Sequence, residues 1–162
     1  MEKSFNKGWV AYDGKSLAHK MSAWELLGPL LTLVCGGNRL TGKQVEVFVD
    51  NAGSVTMWRK GWSTVCDLCN TLLVALHQVS TALCCELFIS NIGRCSNEEP
   101  EAVNALSKCD MGRFLVNMPE ANIVPEEVPA AVLKWIENPV PDRKLGDKIL
   151  KELANKFILV KY

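Results

Sequence analysis

The sequence lacks features that would each point to a class of protein. It has no excess of either charge, because 18 basic residues balance 18 acidic residues, so nucleic-acid binding would depend on a local basic patch. No apolar run reaches the ~18 residues needed to cross a bilayer, since LLGPLLTLVC is short and contains Gly28 and Pro29. The N-terminus carries no apolar segment of the signal-peptide kind. We therefore expect an intracellular protein that does not enter a membrane.

Histidine is scarce, which weakens the case for a zinc site. The chain has 2 histidines and 7 cysteines, and the cysteines lack the spacing of a secreted disulfide framework. Cys66 and Cys69 have CxxC spacing, but neither His19 nor His77 completes a second ligand pair. We therefore interpret the cysteines as reduced thiols that behave as small buried hydrophobic residues.

The composition is that of one globular domain. Of the 162 residues, 48% are hydrophobic and 22% charged, so a single domain can form a core, with room for a small appendage. Near the N-terminus, residues 8–21 are typical of two short strands joined by a tight turn at Asp13-Gly14. Ser22 and Glu25 then have capping-box spacing, which predicts a helix that starts at Ser22 and is kinked at Pro29.

The segment VEVFVDNAGSV carries a carboxylate from an apolar strand into a turn. Alternating valines predict the strand, and Asp50 ends it. Open α/β sheets bind ligands at the carboxyl ends of their strands, so Asp50 is a candidate metal ligand or catalytic residue. The alternative role for Asp50 is a helix N-cap or turn residue. We expect the preceding helix to end at residues 36–38, helices at residues 54–60 and 63–83, and a second strand at residues 85–90.

The C-terminal part differs in composition. A loop at residues 92–96 precedes a helix capped by Ser96 or Asn97. Five of the 7 prolines fall between Pro119 and Pro141, which predicts an irregular connection. Residues 143–156 then predict an amphipathic helix with one apolar face, formed by Leu145, Ile149, Leu150 and Leu153.

Five segments carry a specific resemblance: SAWELLGPLL, VFVDNAGSV, WRKGWST, ISNIGRCSN and AVNALSK. In order and spacing they resemble the ribonuclease H-like domain that follows the reverse transcriptase in some retroelement polyproteins, over about residues 8–110. The resemblance implies an α/β fold, with a ribonuclease H-like mixed sheet flanked by helices in residues 1–118. Residues 119–162 would form the Pro-rich connection and a helical C-terminal extension packed on that domain.

The resemblance also implies an acidic site. Members of the family bind two Mg²⁺ ions through acids on two strands and two helices, and oxygen ligands suit this hard ion. Glu25 resembles the helical acid and Asp50 the second strand acid, so both are implied metal ligands and catalytic residues. The family's last acid corresponds to Asn104, within Val103–Ser107. Asn104 is therefore the third implied catalytic position, although an amide supplies no negative charge.

Besides Asn104, the chain differs from the family at the N-terminal end of the matched region. Residues 8–21 supply about two strands where the family has three, and Asp13 is the only nearby acid. Glu101 and its neighbours are better explained as helix-capping residues. With two of four acids matched, we expect an inactive or impaired domain that serves as a structural or binding module. The alternative is an active ribonuclease H that uses Mg²⁺ or Mn²⁺ to cleave RNA in RNA–DNA hybrids.

The resemblance also implies nucleic-acid and protein partners. Asn51, Lys60 and Arg94 are candidate contacts to an RNA–DNA hybrid or another nucleic acid, and Trp58 and Trp62 lie where bases could stack on them. The alternative for the two tryptophans is burial against the core. A polyprotein subdomain would also contact the reverse transcriptase or another protein, and an open sheet edge would allow pairing with a second copy of the chain.

Overall fold

The computed structural model describes residues 17–64, 66–91, 111–117, 119–120 and 127–155. The chain divides into two compact units, one formed by Met1–Asn91 with Glu127–Tyr162 and the other by Ile92–Glu126. The predicted turn at Asp13-Gly14, the loop that carries Arg94 and the helix that carries Asn104 lie outside the described residues. The predicted limits at 1–118 and 119–162 stay a prediction.

The first unit combines several helices with a small parallel sheet. The elements are α1 (Leu17–Gly36), a 3₁₀ turn (Gly37–Leu40), β1 (Gln44–Val49), α2 (Ala52–Lys60), α3 (Asp67–Ala82), β2 (Glu86–Asn91), α5 (Ala130–Glu137) and α6 (Leu145–Ala154). The second unit contains α4 (Met111–Asn117). None of the helices in the described part of the chain has the length and apolar character that a membrane span requires.

The two strands run parallel and are joined through α2 and α3. Gln44 pairs with Glu86 at one end and Val49 with Asn91 at the other, so the carboxyl ends of both strands meet at one edge. Val49 points into the core, whereas Glu46 and Phe48 face outward, as period-2 alternation predicts. The α/β class is therefore confirmed. Within the described ranges the sheet has two strands, and the wider mixed sheet of a ribonuclease H-like fold stays a prediction.

The core is formed mainly by α1 and α3. Helix α3 packs against α1 and against α6, so it lies at the centre of this unit. The predicted apolar positions of α3 are all buried, and α1 contributes a facing row; together they are Leu26, Leu30, Leu33, Leu68, Leu72, Leu76 and Val79. Burial of each such side chain stabilises the fold by about 1.5–3 kcal/mol. This packing joins α1 and α3 along their apolar faces.

Two N-terminal predictions are wrong. Helix α1 begins at Leu17, so residues 17–21 are helical rather than part of a strand, and Ser22 is an interior residue rather than an N-cap. Alternation over a short segment is a weak guide, and burial of the α1 apolar face overrides it. Pro29 does lie inside the helix, where it lacks the N–H that would bond to the carbonyl of Glu25.

Most of the other predicted helix boundaries agree with the observed ones. Helix α1 ends at Gly36 and α2 ends at Lys60, close to the expected positions. Helix α3 begins at Asp67, four residues later than predicted from Ser63, because Cys66 has extended backbone angles and caps the helix. The C-terminal helix α6 buries Leu145, Ile149 and Leu153, as its periodicity predicts.

Helix α5 was not predicted because prolines surround it. Its N-cap is Pro129, which offers no side-chain acceptor. The carboxylate of Glu152, on α6, accepts hydrogen bonds from the N–H groups of Ala130 at 2.7 Å and Ala131 at 2.8 Å. A charged acceptor at a helix N-terminus is stabilising, so a distant residue supplies the missing cap. The Pro-rich region is therefore partly helical, and α5 and α6 pack together in the first unit.

Candidate functional site

The turn after β1 places Asp50 at the carboxyl edge of the sheet. Asp50 follows the last strand residue and is exposed. The N-cap of α2 is Asn51, whose Oδ1 accepts hydrogen bonds from the N–H of Gly53 at 2.8 Å and of Ser54 at 3.4 Å. Asp50 is therefore not the helix cap, and the alternative assignment of Asp50 as an N-cap is wrong. Its carboxylate is left available for another contact.

Helix α1 is attached to this turn by two hydrogen bonds that centre on Ser22. The Asn51 Nδ2 donates to Ser22 Oγ at 3.4 Å, and the buried Ser54 Oγ donates to the Ser22 carbonyl at 3.4 Å. Ser22 thus positions α1 against the β1–α2 turn, a role that the capping-box interpretation missed. The useful sequence clue was that Ser22 and Glu25, three apart, share one helix face.

Glu25 lies against Asp50. Burial, the charge of Asp50 and a side-chain hydrogen bond with Asp50 raise the pKa of Glu25 from 4.5 to about 7, while a backbone hydrogen bond at Asp50 acts in the opposite direction. A half-buried carboxyl group beside a second carboxyl group holds its proton more strongly, because its ionisation would bring two negative charges together. Near neutral pH the Glu25 carboxyl is therefore partly protonated and donates to the Asp50 carboxylate.

This carboxyl pair has the ligand chemistry for a hard divalent ion. Carboxylate oxygens are ligands that Mg²⁺ and Mn²⁺ accept, with waters in the remaining positions. Within the ranges that the structure describes, no group of three His, Cys, Asp or Glu side chains is placed to hold a metal ion. Binding would also require Glu25 to release its proton, so affinity would rise with pH. The third implied site residue, Asn104, lies outside the described residues.

The candidate nucleic-acid residues fall into two groups. Asn51 is half-buried, and its amide is engaged with the α2 backbone and Ser22. Lys60 and the neighbouring Arg59 are exposed at the C-terminal end of α2. Lys60 is therefore available to a phosphate, whereas Asn51 first stabilises the turn. Arg94 lies outside the described residues.

The two tryptophans differ. Trp58 is half-buried and stacks on the His77 ring with centroids 4.4 Å apart and planes 16° apart, while Trp62 remains 56% exposed. Burial lowers the pKa of His77. The expectation that both tryptophans bury is wrong for Trp62, because Gly61 has φ +75° and turns the chain out of the helix.

Comparisons with known proteins add no relative. No family model matches the chain, and no match was found among curated proteins or among solved structures.

Proposed function

We propose that this chain is a ribonuclease H-like domain of retroelement origin whose acidic site is incomplete, and that it acts as a structural or nucleic-acid-binding module. The observation that carries the proposal is the contact between Glu25 and Asp50. The resemblance implied that these two residues share a site, although they lie on separate elements. The succession of α1, β1, α2, α3 and β2, with β1 and β2 parallel, is compatible with that family's arrangement.

Loss of activity is proposed on electrostatic grounds. Two divalent ions held close together repel each other, and several carboxylates are needed to offset that repulsion. Asn104 contributes an amide where the family has an acid. The raised pKa of Glu25 further reduces the negative charge present at neutral pH. A single weakly bound ion suits this donor set better than the pair that phosphodiester hydrolysis uses.

The alternative, an active nuclease, is supported by the same contact, since it brings together the two acids that the resemblance assigns to metal. When bound, the ions would activate water and stabilise the leaving oxygen. Glu25 and Asp50 would hold them, and Lys60 would contact the phosphate backbone.

A cleavage assay separates the two candidates. The chain is incubated with a labelled RNA–DNA hybrid in Mg²⁺ or Mn²⁺, beside Asp50→Asn and the control Asp67→Asn, which alters an exposed carboxylate at the start of α3. We expect no cleavage by any of the three proteins at high concentration. Cleavage by the unmodified chain and by Asp67→Asn, but not by Asp50→Asn, would replace our proposal with the active nuclease.

Binding is measured separately, by fluorescence anisotropy of the same hybrid without metal. We expect Lys60→Ala to weaken binding, since one lost phosphate contact also lowers the dependence of affinity on salt. Lys134→Ala, on α5, is the matched control because Lys134 is likewise exposed in the last turn of a helix. Equal effects of the two variants, or no binding at low salt, would leave only the structural role.

A further inference from the structure

The N-terminus of α3 holds two thiols whose arrangement the proposed function does not use. Cys66 is the N-cap of α3, and its Sγ accepts a hydrogen bond from the Cys69 N–H at 3.4 Å. Cys66 and Cys69 thus place a CxxC motif at the N-terminus of α3, which follows β1 and α2 along the chain. Redox-active dithiols use this spacing in this position.

The two sulfurs differ in accessibility. Cys66 is half-buried, whereas Cys69 is fully buried, with 0% of its surface exposed. A reagent from solvent can therefore approach Cys66 but not Cys69. Cys69 contacts the Cys66 thiol, so the buried sulfur is placed to react with its neighbour.

The buried thiol, Cys69, holds its proton more strongly than an ordinary cysteine does. The hydrogen bond with Cys66 and then burial raise the pKa of Cys69, so Cys69 remains a protonated thiol. Its S–H donates to the Cys66 sulfur, and the positive end of the α3 dipole favours negative charge at that same sulfur. A thiol attacks disulfides in its thiolate form, so the exposed side of Cys66 at this helix end is the place where an attack can begin.

The chain before α3 is held in place, which keeps Cys66 next to Cys69. The Asn70 Oδ1 accepts from the N–H of Ser63 at 2.7 Å, and the Asn70 Nδ2 donates to the Ser63 carbonyl at 2.9 Å. Leu68 and Leu72 anchor the same turn of α3 in the core. The thiols thus lie on a rigid helix end rather than on a loop.

We propose that Cys66 and Cys69 form a reversible redox pair that reacts with low-molecular-weight disulfides, with Cys66 as the attacking thiol and Cys69 as the resolving thiol. The Cys66 thiolate attacks one sulfur of glutathione disulfide, which breaks its S–S bond, forms a mixed disulfide and releases one glutathione thiolate. Cys69 then attacks the Cys66 sulfur and releases the second glutathione. Each released thiolate takes up one proton lost from the protein; the protein is oxidised by two electrons and glutathione disulfide is reduced by two.

The test treats the full chain with glutathione disulfide and maps the peptides by mass spectrometry without reduction. We expect a Cys66–Cys69 disulfide in the unmodified protein, one glutathione trapped on Cys66 in Cys69→Ala, and no adduct at Cys69 in Cys66→Ser. Serine can still cap α3, and alanine avoids a buried hydroxyl, so both variants should fold. Cys84→Ser is the control, since Cys84 is another half-buried thiol, and it should leave the Cys66–Cys69 disulfide unchanged.

Two results would overturn the proposal. One is an unmodified protein in which Cys66 and Cys69 stay reduced while Cys84 is glutathionylated. The other is a Cys69→Ala protein that accumulates glutathione on Cys66 no faster than on Cys84. The first measurement needs no substitution, so a variant that fails to fold does not remove the test.

Discussion

The carboxyl pair Glu25 and Asp50 and the thiol pair Cys66 and Cys69 lie near the N-termini of α2 and α3, and the two pairs are assembled differently. In each pair the pKa of one member is raised, chiefly by burial for Glu25 and chiefly by the hydrogen bond with its partner for Cys69. The thiols are three residues apart on one helical turn. The carboxyls come from different elements, and contact each other because α1 packs against the β1–α2 turn.

This difference determines what disturbs each pair. The thiol pair depends on the first turn of α3, whose backbone geometry is local. The carboxyl pair depends on Ser22, on the α2 cap and on burial of the apolar face of α1. We therefore expect changes in tertiary packing to separate Glu25 from Asp50 while leaving Cys66 next to Cys69.

The largest expected effect comes from the core. Leu30→Ala, at a fully buried position of α1, should lower the free energy of unfolding by about 2–5 kcal/mol, because it removes buried surface and leaves a cavity. Denaturant unfolding measures the loss. Leu133→Ala is the matched control, since Leu133 is 48% exposed and its truncation should cost little. Equal losses for the two variants would contradict the packing of α1 in this core.

The next largest effect concerns the α2 cap. Asn51→Ala should lower the free energy of unfolding by about 0.5–2 kcal/mol, because it removes the acceptor for two backbone N–H groups and the donor to Ser22. Asn51→Ser keeps a capping oxygen and should recover most of the loss. A serine variant as unstable as the alanine variant would mean that the contact with Ser22, rather than the cap, dominates.

The Asp50→Asn substitution tests whether Asp50 raises the pKa of Glu25. The pKa of Glu25 should fall from about 7 toward 4.5, and burial should keep it above the ordinary value. Carboxyl carbon shifts followed by NMR during a pH titration give this value directly. Asp67→Asn should leave it unchanged, and a Glu25 pKa that is the same in both variants would contradict contact with Asp50.

The raised pKa of Glu25 predicts that the stability of the protein depends on pH. Between pH 4.5 and about 7, folded Glu25 keeps a proton that the unfolded chain releases, so its contribution to the free energy of unfolding decreases as pH rises through that window and is lost above it. Glu25→Gln should remove this component. Unfolding curves at several pH values measure it, and an unchanged slope in Glu25→Gln would show that other groups produce it.

The smallest effect is expected at the α3 cap. A thiol is a weak acceptor, and the Cys66 sulfur is 3.4 Å from its donor, so Cys66→Ser should change the free energy of unfolding by only a few tenths of a kcal/mol. Thermal unfolding of the reduced protein measures this change. A large loss of stability would mean that Cys66 has a structural role beyond capping.

Local patterns in the sequence predicted local structure well. The alternation around Val49 predicted β1, and the apolar period of α3 and α6 predicted their buried faces. Errors arose where distant residues complete an element. Glu152 caps α5 from another helix, and Ser22 bonds to the α2 cap instead of starting its own helix. Neither partner is visible from spacing alone, because spacing describes neighbours along the chain.

The sequence by itself determined the β–α–α–β order, the strand that ends at Asp50 and the CxxC spacing of Cys66 and Cys69, since each depends on periodicity or on a few adjacent residues. It also suggested, through a resemblance, that Glu25 and Asp50 belong together. Only the tertiary structure decided that the two carboxyls touch, that Trp62 is exposed while Trp58 stacks on His77, and that Cys69 is buried behind Cys66. Contact and burial depend on how helices pack, which is a property of the whole core.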